Sequence, residues 1–316
     1  MTVVCVLTGD AKVAKAQTPA VFEDHHLFAS DGQGGVFPDL GDQFGLSVAV
    51  TGSSGSEVAI VGARSDDTPG GTSAGSAYIY RFNGTNWVEE AHLFAFDGAA
   101  NDQYGQSVSI GGAPGAEVAI VGAWVDNTVA GIDAGSVYIY RFNGTIWLFE
   151  EQLVASDGAA NDFFGTSVSI SGTSGNEVAI VGAVLDDTAG GNNAGSAYIY
   201  RFNGTSWVEE THIFASDGQG NVISGDQFGD TVSINSNGGS EIAIVGAFLD
   251  NTSAGTDAGS AYVFRFNGTN WVEEGHLFAS DAFEADRFGD AVSITGAPGN
   301  EVAIIGAPFD LAMGIV

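Results

Sequence analysis

The sequence predicts an all-β chain, a β-propeller of four-stranded antiparallel blades, and three observations predict it. A block of about sixty residues recurs five times, anchored at Phe44, Tyr104, Phe164, Phe228 and Phe288, with steps of 60, 60, 64 and 60 residues. A period in this range, built from short strands, marks a radial or stacked β-array in which each unit needs its neighbours to bury its faces. Four of the blocks also place Asn-Gly between two apolar runs, the strongest short hairpin signal. A β-solenoid is the other architecture open to repeated strands. Its coils are usually shorter and carry no hairpin in each unit, which favours the propeller.

The second copy shows the elements in order. Ser107-Val108-Ser109-Ile110 alternates small polar with β-branched residues, the period-two signature of a strand. Gly111–Ala116 reads as a glycine-rich turn. Val118-Ala119-Ile120-Val121 is apolar on both faces, as a strand sandwiched between sheets should be. A polar loop from Asp126 to Gly135 leads to Val137–Phe142, which puts Tyr138, Tyr140 and Phe142 on one face. Asn143-Gly144 then predicts a two-residue type I′ turn, and Trp147 to Val154 supplies the fourth strand.

Five copies of the Phe-Gly strand and of the Val-Ala-Ile strand are present, against four of the Ala-Tyr-Ile-Tyr strand. Thr2–Leu7 or Ala11–Ala16 can supply the fifth, followed by His26-Leu27-Phe28 as a fourth strand, which closes a five-bladed ring. A fragment of a seven-bladed ring is the alternative. Residues 1–20 read either as an N-terminal strand or as a signal-peptide remnant, with Ala14-Lys15-Ala16 before Gln17 as a cleavage-like site. Residues 21–316 read as a single propeller domain.

Composition narrows the function classes. With 39 acidic residues against 8 basic, the net charge is −31. Such a chain repels nucleic acid and an anionic membrane surface. Cations, cationic partners or a high-salt habitat are left as reasons for the charge. Cys5 alone excludes an internal disulfide framework, and no apolar run reaches the roughly 18 residues of a membrane-spanning helix.

Phe-Gly followed by Ser-Val, then Val-Gly-Ala some fifteen residues later, resembles the FG-GAP repeat of integrin-alpha-type propellers. The literal Gly-Ala-Pro stands only at Gly306-Ala307-Pro308. Ser-Asp-Gly before Phe-Gly, and the Gly-Ser-Ala-Tyr-Ile-Tyr run after Gly-Ala, resemble the bacterial branch of that family. The resemblance implies an extracellular binding or adhesion propeller that recognises partners through loops on one face. It also implies a calcium loop, D-x-D-x-D-G in type, between the Phe-Gly and Gly-Ala strands. Here those loops keep only the last acid, as Glu57, Glu117, Glu177, Glu241 and Glu301, which puts that calcium site in doubt.

Strand alternation sends the loops before Phe-Gly and after Gly-Ala to one side of the array. That side collects Asp31, Asp97, Asp157, Asp217 and Asp281, then Asp42, Asp102, Asp162, Asp226 and Asp286, and finally Asp66, Asp67, Asp126, Asp186, Asp187 and Asp250. Two readings stand for these aspartates. They shape turns through their own backbone, or they hold Ca²⁺ through oxygen ligands. His26, His92, His212 and His276 recur at one position, with Gln152 in the third place, and a residue repeated in every blade reads as structural. The Asn-Gly-Thr triplets at Asn83, Asn143, Asn203 and Asn267, and Asn251-Thr252-Ser253, match a glycosylation sequon, though the hairpins already require Asn-Gly. Trp87, Trp147, Trp207 and Trp271 suit inter-blade packing more than sugar stacking. Near-identical copies offer no unique catalytic pair, so no enzyme is expected. The departures from symmetry are Trp124, a candidate ligand contact, and the longer loops Gly32–Leu40 and Gly218–Gly225. The expected function is a non-enzymatic, secreted or surface-displayed module that binds a protein or glycan partner on its aspartate-rich face, with a lectin or an acidic scaffold as alternatives. No organic cofactor, nucleic acid or membrane insertion is expected.

Overall fold

The computed structural model describes the backbone of residues 2–7 and residues 26–31, 41–218, 225–236 and 241–310 in full. Among them there are strands and turns but no helix, and hence none long and apolar enough to cross a membrane. The chain opens with β1 (Thr2–Leu7). The first sheet follows as β2 (Val48–Thr51), β3 (Val58–Ala63), β4 (Ser76–Phe82) and β5 (Trp87–Leu93). The second is β6 (Tyr104–Ala113), β7 (Ala116–Ala123), β8 (Ser136–Phe142) and β9 (Trp147–Leu153), and the third is β10 (Phe164–Thr173), β11 (Asn176–Ala183), β12 (Ser196–Phe202) and β13 (Trp207–Ile213). The fourth is β14 (Thr231–Ser236), β15 (Glu241–Ala247), β16 (Ser260–Phe266) and β17 (Trp271–Leu277). Each of these four is an antiparallel meander in sequence order. The fifth sheet holds β18 (Ala291–Thr295) and β19 (Val302–Ala307), with β1 beside β19.

The alternating pattern becomes burial between sheets. Val118 and Ile120 of β7 pack toward Val168, Ile170 and Phe164 of the third sheet, while Ala119, Val121 and Ala123 face Val58 and Ile60 of the first. Each fully buried Val or Ile contributes roughly 1.5–3 kcal/mol. The Phe-Gly and Gly-Ala motifs meet at every such junction: a Cβ on Gly122 would run into the carbonyl oxygen of Gly165, and Gly182 meets Gly229 in the same way. Glycine is required there because two backbones touch.

A second device ties the opposite edge. Arg141 of β8 pairs with Glu150 of its own sheet and with Glu177 of the third, 2.6 Å away, and its guanidinium lies 4.6 Å above the Phe202 ring. Trp207 closes the loop by donating its indole N–H to Glu150 at 2.8 Å. Arg81–Glu117, Arg201–Glu241 and Arg265–Glu301 repeat the clamp. The tryptophans therefore serve inter-sheet packing, and four of the five conserved-register glutamates are held by arginine.

The structure departs from sequence expectation in four places. β6 runs from Tyr104 to Ala113, so the turn expected over Gly111–Ala116 narrows to Pro114-Gly115. The Asn-Gly hairpins are four-residue loops and not type I′ turns: only the glycine has positive φ, at 90° in Gly84. Asn83 Oδ1 accepts the N–H groups of Thr85 and Asn86, which keeps Asn83 itself at negative φ. Thr2–Leu7 does join the fifth sheet, but parallel to β19, where the other third strands are antiparallel; the Ala11–Ala16 alternative lies outside the described residues. His26-Leu27-Phe28 forms no strand, yet Leu27 and Ala29 pack on the first sheet as Leu93 and Ala95 pack on the second.

The described residues form four sheet-to-sheet junctions and leave the inner strand of the first sheet, and Ile304 of the fifth, exposed on their outer sides. Val48 and Val50 are 67% and 65% exposed, whereas their equivalents Val168 and Ile170 are 8% and 7% exposed. Gly45 meets nothing, and Gly306 meets only Ala291 of its own sheet.

Candidate functional site

Backbone hydrogen bonds place the loop before the Phe-Gly strands of the second to fifth repeats against the Gly-Ala loop of the preceding sheet: Asn101 N–H donates to Thr72, and Tyr104 N–H to Ala74. The acidic loops thus share one end of the array. Most of their carboxylates already have donors. Asp186 Oδ2 accepts Ser196 Oγ at 2.5 Å and lies 3.1 Å from the Tyr198 hydroxyl, which is also 2.8 Å from Asp157 of the preceding loop. His212 stacks flat on Tyr198, its rings 4.2 Å apart, with Nε2 3.1 Å from Asp186 and Nδ1 3.3 Å from Asp157. Asp31, Asp66, Ser76, Tyr78 and His92 repeat this latch, as do Asp217, Asp250, Tyr262 and His276. In the second sheet Gln152 replaces histidine and donates to Tyr138, which bridges Asp97 and Asp126.

The environments differ accordingly. Burial alone would raise Asp66, but contacts from His92, Ser76 and Tyr78 outweigh it and hold the carboxyl below the ordinary range; Asp250 behaves alike. Asp126, with no imidazole, is pushed up by burial against the opposing hydrogen bond from Ser136. Burial likewise pushes Tyr78, Tyr138, Tyr198 and Tyr262 well above the usual phenol range.

Turn chemistry accounts for others. Asp102, Asp162 and Asp286 accept the N–H of Ala99, Ala159 and Phe283, each at 2.5 Å. Burial raises Asp102 and Asp162 to about 6 despite those bonds. Asp67 and Asp187 accept the N–H of Ser73 and Asn193, a task that Asn127 and Asn251 perform in the other repeats. Backbone oxygens of Asp42 and Asp226 accept Ser65 and Leu249 N–H. Left exposed at this end are Asp31, Asp67, Asp97, Asp157, Asp187, Asp217 and Asp281, beside the exposed rings of Phe28, Phe94, Phe214 and Phe278.

A cavity of about 290 Å³ is lined by the first residues of the innermost strands from all five repeats, among them Ser47, Gln106, Thr166, Asp230 and Val292. Around it the repeats stop matching. The residue after Phe-Gly is Leu46, Gln106, Thr166, Asp230 or Asp290. The residue before it is Gln43, Gln103, Phe163, Gln227 or Arg287, always left-handed, with φ between 53° and 58°. Arg64 bridges Gln43 and Gln106, and Trp124 donates to Gln103 at 3.1 Å and packs 5.0 Å from Phe163. Trp124 therefore stands beside this mouth, the candidate contact being half-buried and already hydrogen-bonded. Residues 219–224 of the longer fourth-copy loop, and 32–40 of the first, lie outside the described residues.

The FG-GAP repeat family matches residues 21–80, 87–140, 147–200, 207–264 and 271–314. The chain belongs to the FG-GAP repeat family. From the second match on, each family repeat begins one strand before a sheet does, so these FG-GAP units contribute the outermost strand of one sheet and the inner strands of the next. No curated relative matches in sequence. Among solved structures, an α-L-arabinofuranosidase of Fusarium graminearum with an iminosugar inhibitor is similar at 12% identity and TM-score 0.51, over 83% of this chain and 74% of that one. The complex of the same organism's GH93 α-L-arabinofuranosidase with arabinobiose is similar at 13% identity and TM-score 0.48, over 81% and 73%. The first of these likenesses speaks to the fold alone.

The residues present do not fit the calcium loop that FG-GAP membership suggests. The turn between β6 and β7 offers one acid, Glu117, and Arg81 holds it. At the other end, Asp31, Asp66 and His92 offer ligand atoms within 4.8 Å of one another. That set includes an imidazole, whereas Ca²⁺ takes six to eight oxygens. Asp66 is also engaged by Ser76 and Tyr78.

Sequence reasoning placed the aspartates at one end but missed the serine, tyrosine and arginine partners that hold them and their counterparts. Those residues recur in register, which was the available signal. Asp230 and Asp290 were also missed; their signal is a carboxylate where other repeats carry Leu, Gln or Thr.

Proposed function

We propose that this FG-GAP array is a non-enzymatic binding module, in a secreted or surface-displayed setting, whose five sheets surround the axial cavity as blades and whose acidic loop end meets a cationic protein or surface partner. The observation that carries this reading is the asymmetry between the two ends. At the hairpin end, Glu117, Glu177, Glu241 and Glu301 are neutralised by arginine. At the loop end, seven aspartates are exposed with no arginine or lysine pair among the described residues, next to a recurring exposed phenylalanine. Charge of one sign flanked by apolar rings steers and then anchors a complementary surface. The lectin alternative is weaker because the indoles of Trp147, Trp207 and Trp271 already donate to glutamates.

The test is an array of extracellular proteins and glycans probed at physiological salt. Wild type is compared with Asp67→Lys/Asp187→Lys at the loop end and with Thr85→Lys/Thr205→Lys at the hairpin end. Loss of protein binding in the first variant only supports the reading; equal binding by both variants, or binding to glycans alone, overturns it. A melt in CaCl₂ against NaCl at fixed ionic strength adds whether an ion shared with the partner belongs in the account.

A further inference from the structure

The axial cavity has an unusual inventory of polar groups. Nearly all are engaged within the protein. Ser107 and Ser167 donate to the carbonyls of Gly165 and Gly229 at 2.8 Å, Thr231 to Gly289 at 2.9 Å, and Thr166 to Phe163 at 2.7 Å. Ser47 Oγ accepts Val108 N–H, and Gln106 Oε1 accepts from Arg64. Among the side-chain acceptors the exception is Asp230: no donor among the described residues reaches its carboxylate. It is half-buried in the cavity wall, and Asp290 stands at the same register position in the next repeat. Burial and the charge of Asp290 together raise Asp230 to about 6. Asp290 is itself raised by burial, with Arg287 opposing. Arg287 is turned toward aromatic neighbours, lying 5.5 Å from the Phe248 ring and 4.7 Å from that of Phe309.

We infer that the axial cavity is a binding site for an alkylammonium group, with Asp230 in its wall as the acceptor, Asp290 adding its negative charge beside Asp230, and Val108, Val168 and Val232 of the lining against the alkyl chain. The choice of ligand follows from what is left to be satisfied. A sugar or polyol brings as many acceptors as donors, and the hydroxyls of Ser107, Ser167, Thr231 and Thr166 already donate to carbonyls, which leaves it little beyond Gln106 Nε2. A hard divalent cation needs six or more oxygens, and among the described side-chain acceptors of the lining only the Asp230 carboxylate is free. An ammonium brings three donors and no acceptor, which matches an unpartnered, half-buried carboxylate. This site does not rest on the protein-partner reading above, since it lies on the axis and is tested with a small molecule.

The experiment is calorimetric titration of the full chain with n-butylammonium at fixed ionic strength, with xylose and CaCl₂ as comparison ligands. Saturable 1:1 binding of butylammonium is expected. Asp230→Asn should weaken it at least about tenfold, the worth of one charge-assisted hydrogen bond. Glu57→Gln, which removes one charge at the hairpin end, should leave it unchanged. Leu46→Asp places a third carboxylate at the equivalent position and should tighten binding, so the proposal is still exposed to failure if Asp230→Asn does not fold. An Nα-acetyl-lysine amide arm sorts a free amine from a protein side chain as the source. Equal weakening by Asp230→Asn and Glu57→Gln would mean general charge attraction and overturn the site. So would saturable binding of xylose or calcium without butylammonium.

Discussion

The junction between the second and third sheets and the uncovered face of the first sheet are built from the same residues in different states. At the junction, Val168 and Ile170 are buried under Val118 and Ile120, Gly165 touches Gly122, and Glu177 is held by Arg141. On the first sheet, Val48 and Val50 lie open, a Cβ on Gly45 would meet nothing, and among the described residues the Glu57 carboxylate takes only the backbone N–H of Gly55. The difference teaches that a repeat cannot bury its own inner strand: the cover always comes from the sheet before it, as nearest-neighbour arrays require. Substitutions at equivalent positions should therefore have unequal costs. Ile170→Ala is expected to cost about 3 kcal/mol in urea unfolding, and Val50→Ala less than about 0.5. Equal costs would show that the first sheet is covered in solution.

The clamp sharpens the same comparison. Removing Arg141 strands Glu177, which has no exposed side-chain surface, so Arg141→Ala should cost roughly 2–3 kcal/mol. Glu57→Gln, at the unclamped equivalent, should change stability by no more than a few tenths. A smaller contrast comes from the glycines. Gly122→Ala drives a Cβ into the Gly165 carbonyl and against Ser107 Oγ, with little room to shift, and should cost about 2 kcal/mol. At Gly306 an added Cβ sits 3.4 Å from the Ala291 side chain, an ordinary contact, and Gly306→Ala should be tolerated. Differential melting of the four variants checks both pairs.

These contrasts also mark what the sequence could carry. Strand existence, sheet order and the acidic end were readable because period-two alternation and a sixty-residue register are local and repeated. Side-chain destinations across a junction were not. The Ser30–Glu89 bond, at 2.8 Å, recurs as Ser156–Glu209 and Ser216–Glu273, but the second sheet carries Phe96 against Phe149, ring centroids 5.0 Å apart. A polar pair has been exchanged for an aromatic one, and only the fold shows that the two positions, 53 residues apart in sequence, touch. The left-handed residue before each Phe-Gly was hidden for another reason. Gln, Phe and Arg there give no hint of positive φ, which the sequence advertises only through glycine or asparagine.

The finest comparison sets a latch with histidine against the one with Gln152. His92 faces Asp31, Asp66, Glu89 and Tyr78; burial opposes its charge, but these acids prevail and raise its pKa above the ordinary value. A raised histidine stabilises fully below its unfolded pKa of about 6.5 and loses that contribution as pH climbs through the folded value. Asp66, held low, stabilises above about 3.9 and loses its share only as pH falls through its lower folded value. The latch is thus strongest between those limits. His92→Gln should cost about 0.5–1 kcal/mol at pH 5.5 and clearly less at pH 8.5. In the second sheet, where burial raises Asp126 without an imidazole to oppose it, Gln152→His should stabilise at pH 5.5, with the gain fading by pH 8.5. Unfolding curves at the two pH values decide the matter. If His92→Gln costs the same at both, the imidazole contributes only its stacking on Tyr78, and the charge account of the latch is wrong.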